Sequence, residues 1–112
     1  MSVELFGLLF YLTDEKPKPQ LTRDPGFEVM YVGESVTFTC KVNVSAGWEY
    51  LWYKDSQGTP LPNTDTSQTS YTIKTELSHA GTYWCRVRRG SQPFHSEYSV
   101  DIPLKTQGKL NN

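Results

Sequence analysis

Residues 35–42 read Ser-Val-Thr-Phe-Thr-Cys-Lys-Val, so Val36, Phe38, Cys40 and Val42 alternate with Ser35, Thr37, Thr39 and Lys41. Alternation with a period of two marks a half-buried β-strand, and here the apolar face carries a cysteine. Residues 81–89 repeat the device, with Tyr83, Cys85 and Val87 on one face. Between them lies an aromatic run, Trp-Glu-Tyr-Leu-Trp-Tyr-Lys at 48–54, and then Tyr71, Ile73 and Leu77, spaced for a strand running into a turn. Toward the N-terminus, residues 21–24 and 27–31 supply two edge pieces separated by Pro25-Gly26. Toward the C-terminus, Tyr98, Val100 and Ile102 alternate with Glu97, Ser99 and Asp101. Short strands separated by Gly/Pro turns predict an antiparallel sandwich or barrel.

The spacing of three residues decides between these. Trp52 follows Cys40 by twelve residues, and Cys85 follows Trp52 by thirty-three. In an immunoglobulin sandwich a disulfide links the two sheets, a buried tryptophan packs on it, and a tyrosine two residues before the second cysteine ties back to upstream backbone. Tyr83 stands at that offset. The expected fold is all-β: an immunoglobulin-like two-sheet antiparallel sandwich, constant-like or intermediate, with seven or eight strands and one inter-sheet disulfide, Cys40–Cys85.

A chain of 112 residues is one domain. A hydrophobic content of 37% argues against disorder, and a net charge of −1 provides no nucleic-acid footprint. No apolar run reaches the ~18 residues of a membrane span. The two cysteines read as a pair in a secreted setting, which the sequon Asn43-Val44-Ser45 also favours. His79 and His95 have no metal-ligand spacing with them, and no metal or cofactor is expected. Residues 5–12, Leu-Phe-Gly-Leu-Leu-Phe-Tyr-Leu, resemble the apolar part of a signal peptide, but Glu4 precedes them and no clear cleavage site follows. Residues 1–15 are therefore either a signal-like or disordered remnant, or an extra strand or partner-seeking segment. The domain is placed at 16–105 and a polar C-terminal linker at 106–112.

Several segments resemble the strand motifs of Fc-receptor-like and leukocyte immune-type receptors, most closely fish members: GESVTFTC at 33–40, LWYKD at 51–55, YTI at 71–73, SHAGTYWCR at 78–86, and YSVDIPL at 98–104. The resemblance implies an extracellular immune-receptor domain on the cell surface or secreted. Its implied partner is a protein, such as an immunoglobulin Fc region or a histocompatibility-like protein, with further immunoglobulin domains in the parent receptor. One departure concerns His79, which stands where many such domains have an aspartate paired with an arginine. No arginine occurs between Lys54 and His79, so that ion pair is absent. An exposed pair of this kind contributes little, and the fold expectation is unaffected.

With the cysteines pointing inward, strand phase fixes the outward faces. Residues 35–42 and 70–77 present Ser35, Thr37, Thr39, Lys41, Thr72, Lys74 and Glu76, an ordinary wet face. The opposite sheet presents Glu49, Leu51 and Tyr53, then Trp84, Arg86 and Arg88, with Glu97, Ser99 and Asp101 from the last strand. Leu51, Tyr53 and Trp84, rimmed by Arg86 and Arg88, form a candidate partner-binding face, since interface centres are enriched in Trp, Tyr and Arg. Local cover is the competing reading: the arginines pair across strands with Glu49, Glu97 or Asp101, and the loop at 55–63 lies over Trp84. A third is contact with a neighbouring domain. The resemblance points to a second candidate, the end loops at 45–49, 58–61 and 88–94, with Trp48 and Arg89 as the residues to test. Trp48 shares the phase of Tyr50 and Trp52, so a core position is its alternative. A glycan on Asn43 would crowd part of that end.

Protein recognition is the expected function, and a spacer or homophilic adhesion domain the alternative. Enzymatic activity is not expected. Catalysis needs a base within reach of a nucleophile, and neither His79 nor His95 lies in such a motif.

Overall fold

Alternating strands with one apolar face each must bury that face, and here they do so against one another. In the computed structural model, which describes residues 17–44, 47–89 and 94–108, eight strands form two sheets. β1 (Gln20–Asp24), β3 (Ser35–Lys41) and β5 (Ser70–Lys74) make one antiparallel sheet, in the order β1-β3-β5. The other contains β2 (Val29–Tyr31), β4 (Glu49–Lys54), β6 (Gly81–Arg89), β7 (Phe94–His95) and β8 (Ile102–Gln107). Its order is β2-β8-β6-β4, with β7 also on β6. The Asp24–Pro25 peptide is cis, and just beyond it the chain passes from the first sheet to the second. There β2 runs parallel to β8, pairing Val29 with Lys105.

The apolar residues of β3 are fully buried: Val36 0%, Phe38 0% and Cys40 1% exposed. Opposite them stand Trp52, Tyr83 and Cys85 from the second sheet. The Cys40–Cys85 disulfide bridges the sheets with a Cα–Cα distance of 6.2 Å. Phe38 stacks on Tyr83 with centroids 4.7 Å apart, and Trp52 packs on Tyr71 at 5.6 Å. The outward side of the first sheet is polar as expected, with Thr37 and Thr72 hydroxyls bonded across strands at 2.8 Å.

After β5 the chain makes a 3-10 turn, Leu77–His79. Its cap is reciprocal: the His79 Nδ1 accepts from the Glu76 N–H, and the Glu76 side chain accepts from the His79 N–H. The Tyr83 hydroxyl donates to the His79 carbonyl at 2.6 Å, the tie-back expected of that tyrosine. The free edge of β4 is covered in turn. Leu61 N–H donates to Trp52 O and Tyr50 N–H to Thr66 O, so residues 61–66 run beside that strand.

Two sequence expectations need correction here. The last strand is not continuous from Tyr98 to Ile102. β6 pairs Arg88 with His95 and Tyr83 with Ile102, so five steps on β6 face seven on its neighbour. Two extra residues bulge out of the ladder and change the side-chain phase. Ser99, expected outside, is buried, while Val100, expected inside, is 63% exposed. The linker at 106–112 also begins too early, because β8 continues through Thr106 and Gln107. The signal-like stretch at 1–15 lies outside the described residues. No helix among the described residues is long and apolar enough to cross a membrane.

Candidate recognition surface

The register of β4 and β6 places Glu49 opposite Arg88, Leu51 opposite Arg86 and Tyr53 opposite Trp84. These six residues therefore share the face turned away from the disulfide, as strand phase predicts. Their exposure is another matter. Leu51 is 4% exposed and Tyr53 0%, so neither is available to a partner. This corrects the exposed apolar patch expected from the sequence.

The cover over Tyr53 comes from the bulged segment. Within it Ser96 and Ser99 do the work of strand backbone: their hydroxyls accept from the Val87 and Cys85 N–H groups at 2.9 and 3.0 Å. The segment is thereby held against β6, and Tyr98 lands edge-on against the Tyr53 ring at 5.0 Å. The Arg86 guanidinium lies 4.4 Å from the Tyr98 centroid and 5.3 Å from that of Tyr53. Its Nε donates to the Tyr53 hydroxyl at 2.7 Å. Burial pushes the Tyr53 phenol above its ordinary value despite that hydrogen bond. The Tyr98 hydroxyl accepts from the Gly58 N–H, tying down the loop that follows β4. Arg88 meets Glu49 in a cross-strand ion pair at 2.8 Å, one of the pairings foreseen, whereas among the described residues Arg86 is held by aromatic rings and not by a carboxylate. Trp84 remains half-buried.

At one end of the same sheet the situation is reversed. One residue before β4, Trp48 continues the phase of Tyr50, and Arg89 at the end of β6 continues that of Val87, which makes the two a rung by phase; Arg89 pairs with Phe94 of β7. By phase this rung belongs to the inward face, with Tyr50 and Val87 below it. The Arg89 guanidinium sits 5.1 Å from the Trp48 ring centroid, and Phe94 meets Trp48 edge-on at 6.1 Å. Arg89 is exposed and Phe94 is 46% exposed. Trp48 is half-buried, and its buried Nε1 has no hydrogen-bond partner among the described residues. Trp48 is thus neither fully buried nor among the buried residues of the core cluster. Phe94 was not singled out beforehand. The signal for it was its place opposite Arg89 in a hairpin, which depends on where the turn falls. Of the end loops, residues 45, 46 and 90–93 lie outside the described residues.

The geometry defines a two-sheet β-sandwich with an inter-sheet disulfide, a tryptophan buried in the core beside it and an aromatic-arginine cluster at one end. The chain matches the immunoglobulin domain family over residues 18–104, and it belongs to that family. Among solved structures it is similar to murine CEACAM1b, at 22% identity and a TM-score of 0.65, over 83% of this chain and 46% of that one. It is similar also to Sidekick-1 immunoglobulin domains 1–5, at 21% identity and a TM-score of 0.54, over 83% of this chain and 19% of that one. A chain from the structure describing T cell specificity and activation by toxic shock syndrome toxin-1 matches at 12% identity and a TM-score of 0.55, covering 80% and 99%. The chain thus spans less than half the length of the first two, and likenesses at these identities establish the fold.

Proposed function

We propose that this chain is the ligand-recognition domain of an extracellular immune receptor, and that it binds a protein partner through the end rung Trp48–Arg89–Phe94. The observation that carries this is the contrast in exposure. The Tyr53 ring is covered by Tyr98 and Arg86, whereas Trp48, the exposed Phe94 and the exposed Arg89, which has no carboxylate partner among the described residues, lie together at one end of the sheet. Trp and Arg dominate the centres of protein interfaces. The inter-sheet disulfide supports an oxidising, extracellular setting. The resemblance to Fc-receptor-like receptors supports an immune role, with an immunoglobulin Fc region or a histocompatibility-like protein as candidate partner. Arg88 contributes at the rim, where Glu49 already engages it. Screening the oxidised domain against such ectodomains tests the reading. Arg89→Ala and Phe94→Ala are expected to weaken binding at least tenfold, about 1.4 kcal/mol, with unchanged Tm. Binding retained in both variants would refute it.

A spacer role is the second reading, supported at the opposite end of the sandwich. There Leu77 is 60% exposed beside an open groove that also includes Val32, Gly33 and Thr75. The Thr106 hydroxyl donates to Leu77 O, so β8 finishes next to that groove. Stacking of consecutive domains there predicts no soluble ligand. Sedimentation over a concentration range, with and without Leu77→Ser, separates it from recognition at the other end.

A further inference from the structure

We propose that Asn43 carries an N-linked glycan whose first sugars lie over the outer face of the three-stranded sheet, between Lys18 and Lys41, and off the Trp48–Arg89–Phe94 rung. The proposal rests on the extracellular reading above. Asn43-Val44-Ser45 has the acceptor composition, with valine in the middle position. Asn43 stands two residues beyond Lys41, the last residue of β3, and both are exposed, while Val42 between them is half-buried. The Val44 N–H donates to the Val42 carbonyl at 3.1 Å, closing a three-residue turn with Asn43 at its tip.

Beside that tip lies an open basin of about 370 Å³, lined by Lys18, Gln20, Lys41, Val42 and Asn43. Gln20 and Lys41 are directly paired across β1 and β3, and both are exposed. The basin therefore opens on the outer side of this sheet and not between the sheets. Trp48 and Arg89 belong to the other sheet and have the inward phase. Stacked sheets lie ~10 Å apart, so an oligosaccharide rooted on the outer side of one is directed away from a rung on the inner side of the other.

In the attachment step the Asn43 amide nitrogen attacks C1 of the first N-acetylglucosamine of a lipid-pyrophosphate-linked oligosaccharide. The N–C1 bond forms, the C1–O bond breaks, the amide loses one proton, and the lipid pyrophosphate leaves.

The test is secretion of the full chain from glycosylating animal cells behind an added leader. The intact mass is expected to exceed that of the polypeptide by an oligosaccharide that peptide N-glycosidase removes, and Asn43→Gln and Ser45→Ala are expected to lack it. On the folded wild-type protein, enzymatic removal is expected to raise acetylation of Lys18 and Lys41 severalfold, with Lys74, Lys105 and the phenylglyoxal reactivity of Arg89 unchanged. An unmodified mass on a secreted protein with Cys40 and Cys85 joined overturns the glycan and leaves the extracellular reading standing. Failure of the cysteines to join in secreted protein overturns that reading instead. Equal acetylation before and after removal, or a rise at Arg89, overturns the proposed seat.

Discussion

The hydroxyl of Tyr83 and the carbonyl oxygen of His79 are joined by a hydrogen bond of 2.6 Å, which fastens the start of β6 to the 3-10 turn before it. The Tyr83 ring is 1% exposed and stacks on Phe38, so the bond is anchored in the core. Tyr83→Phe keeps the ring and deletes the donor, leaving the His79 carbonyl without it. A loss of about 1–2 kcal/mol is expected. Urea unfolding of the oxidised protein, with an unchanged m-value, is the check.

Alkaline pH acts on the same residue. Burial raises the phenols of Tyr83, Tyr53 and Tyr71 above the ordinary 10.0, so the folded state holds these protons more tightly than the unfolded chain. Their contribution is fully present below pH 10 and is lost as pH rises beyond it. Stability should therefore fall from about pH 10 upward. Tyr83→Phe should flatten that fall, as measured by Tm against pH with tyrosinate absorbance followed in parallel.

At acid pH the relevant carboxylates are Asp55 and Asp65. The Thr82 N–H and Lys54 hold Asp55 below its ordinary 3.8, and Ser67 does the same for Asp65. A depressed folded pKa contributes stability above the unfolded value and loses it as pH falls through the folded one. Both groups are solvent-exposed, so the effect is small and confined to below about pH 4. Asp55→Asn should reduce the acid slope measurably in Tm against pH, with the neutral Tm little changed.

Gly81 exists because of Asp55. Its φ is +154°, and a Cβ built there would overlap the Asp55 carboxylate. That carboxylate is bonded to Thr82 N–H at 2.9 Å and to Lys54. Gly81→Ala should cost about 1–3 kcal/mol. Pairing it with Asp55→Gly should recover part of the loss, which a double-mutant cycle in urea would reveal.

Reduction of Cys40–Cys85 releases a loop of 45 residues. On the chain-entropy model this costs roughly 4 kcal/mol, against a total of ~5–15 kcal/mol for a domain. Largely unfolded protein at 37 °C in strong reductant is expected, read by the fluorescence of buried Trp52. An unchanged melt would contradict it.

The sequence by itself determined the sandwich, the disulfide and the phase of the strands β3, β4, β5 and β6. Period-two alternation and the Cys40–Trp52–Cys85 spacing are local, and each residue's inward or outward direction follows from its neighbours. The direction of Leu51 and Tyr53 was legible in this way, and their burial was not. Burial depends on what lies across a face, and here that is Tyr98, delivered by a two-residue bulge whose existence appears only when His95 and Ile102 are counted against β6. Trp48 shows the converse: it has the phase of the core, yet it is only half-buried. Only the tertiary structure decided which inward residues are covered and which outward ones are free, because exposure is a property of neighbours distant in the chain.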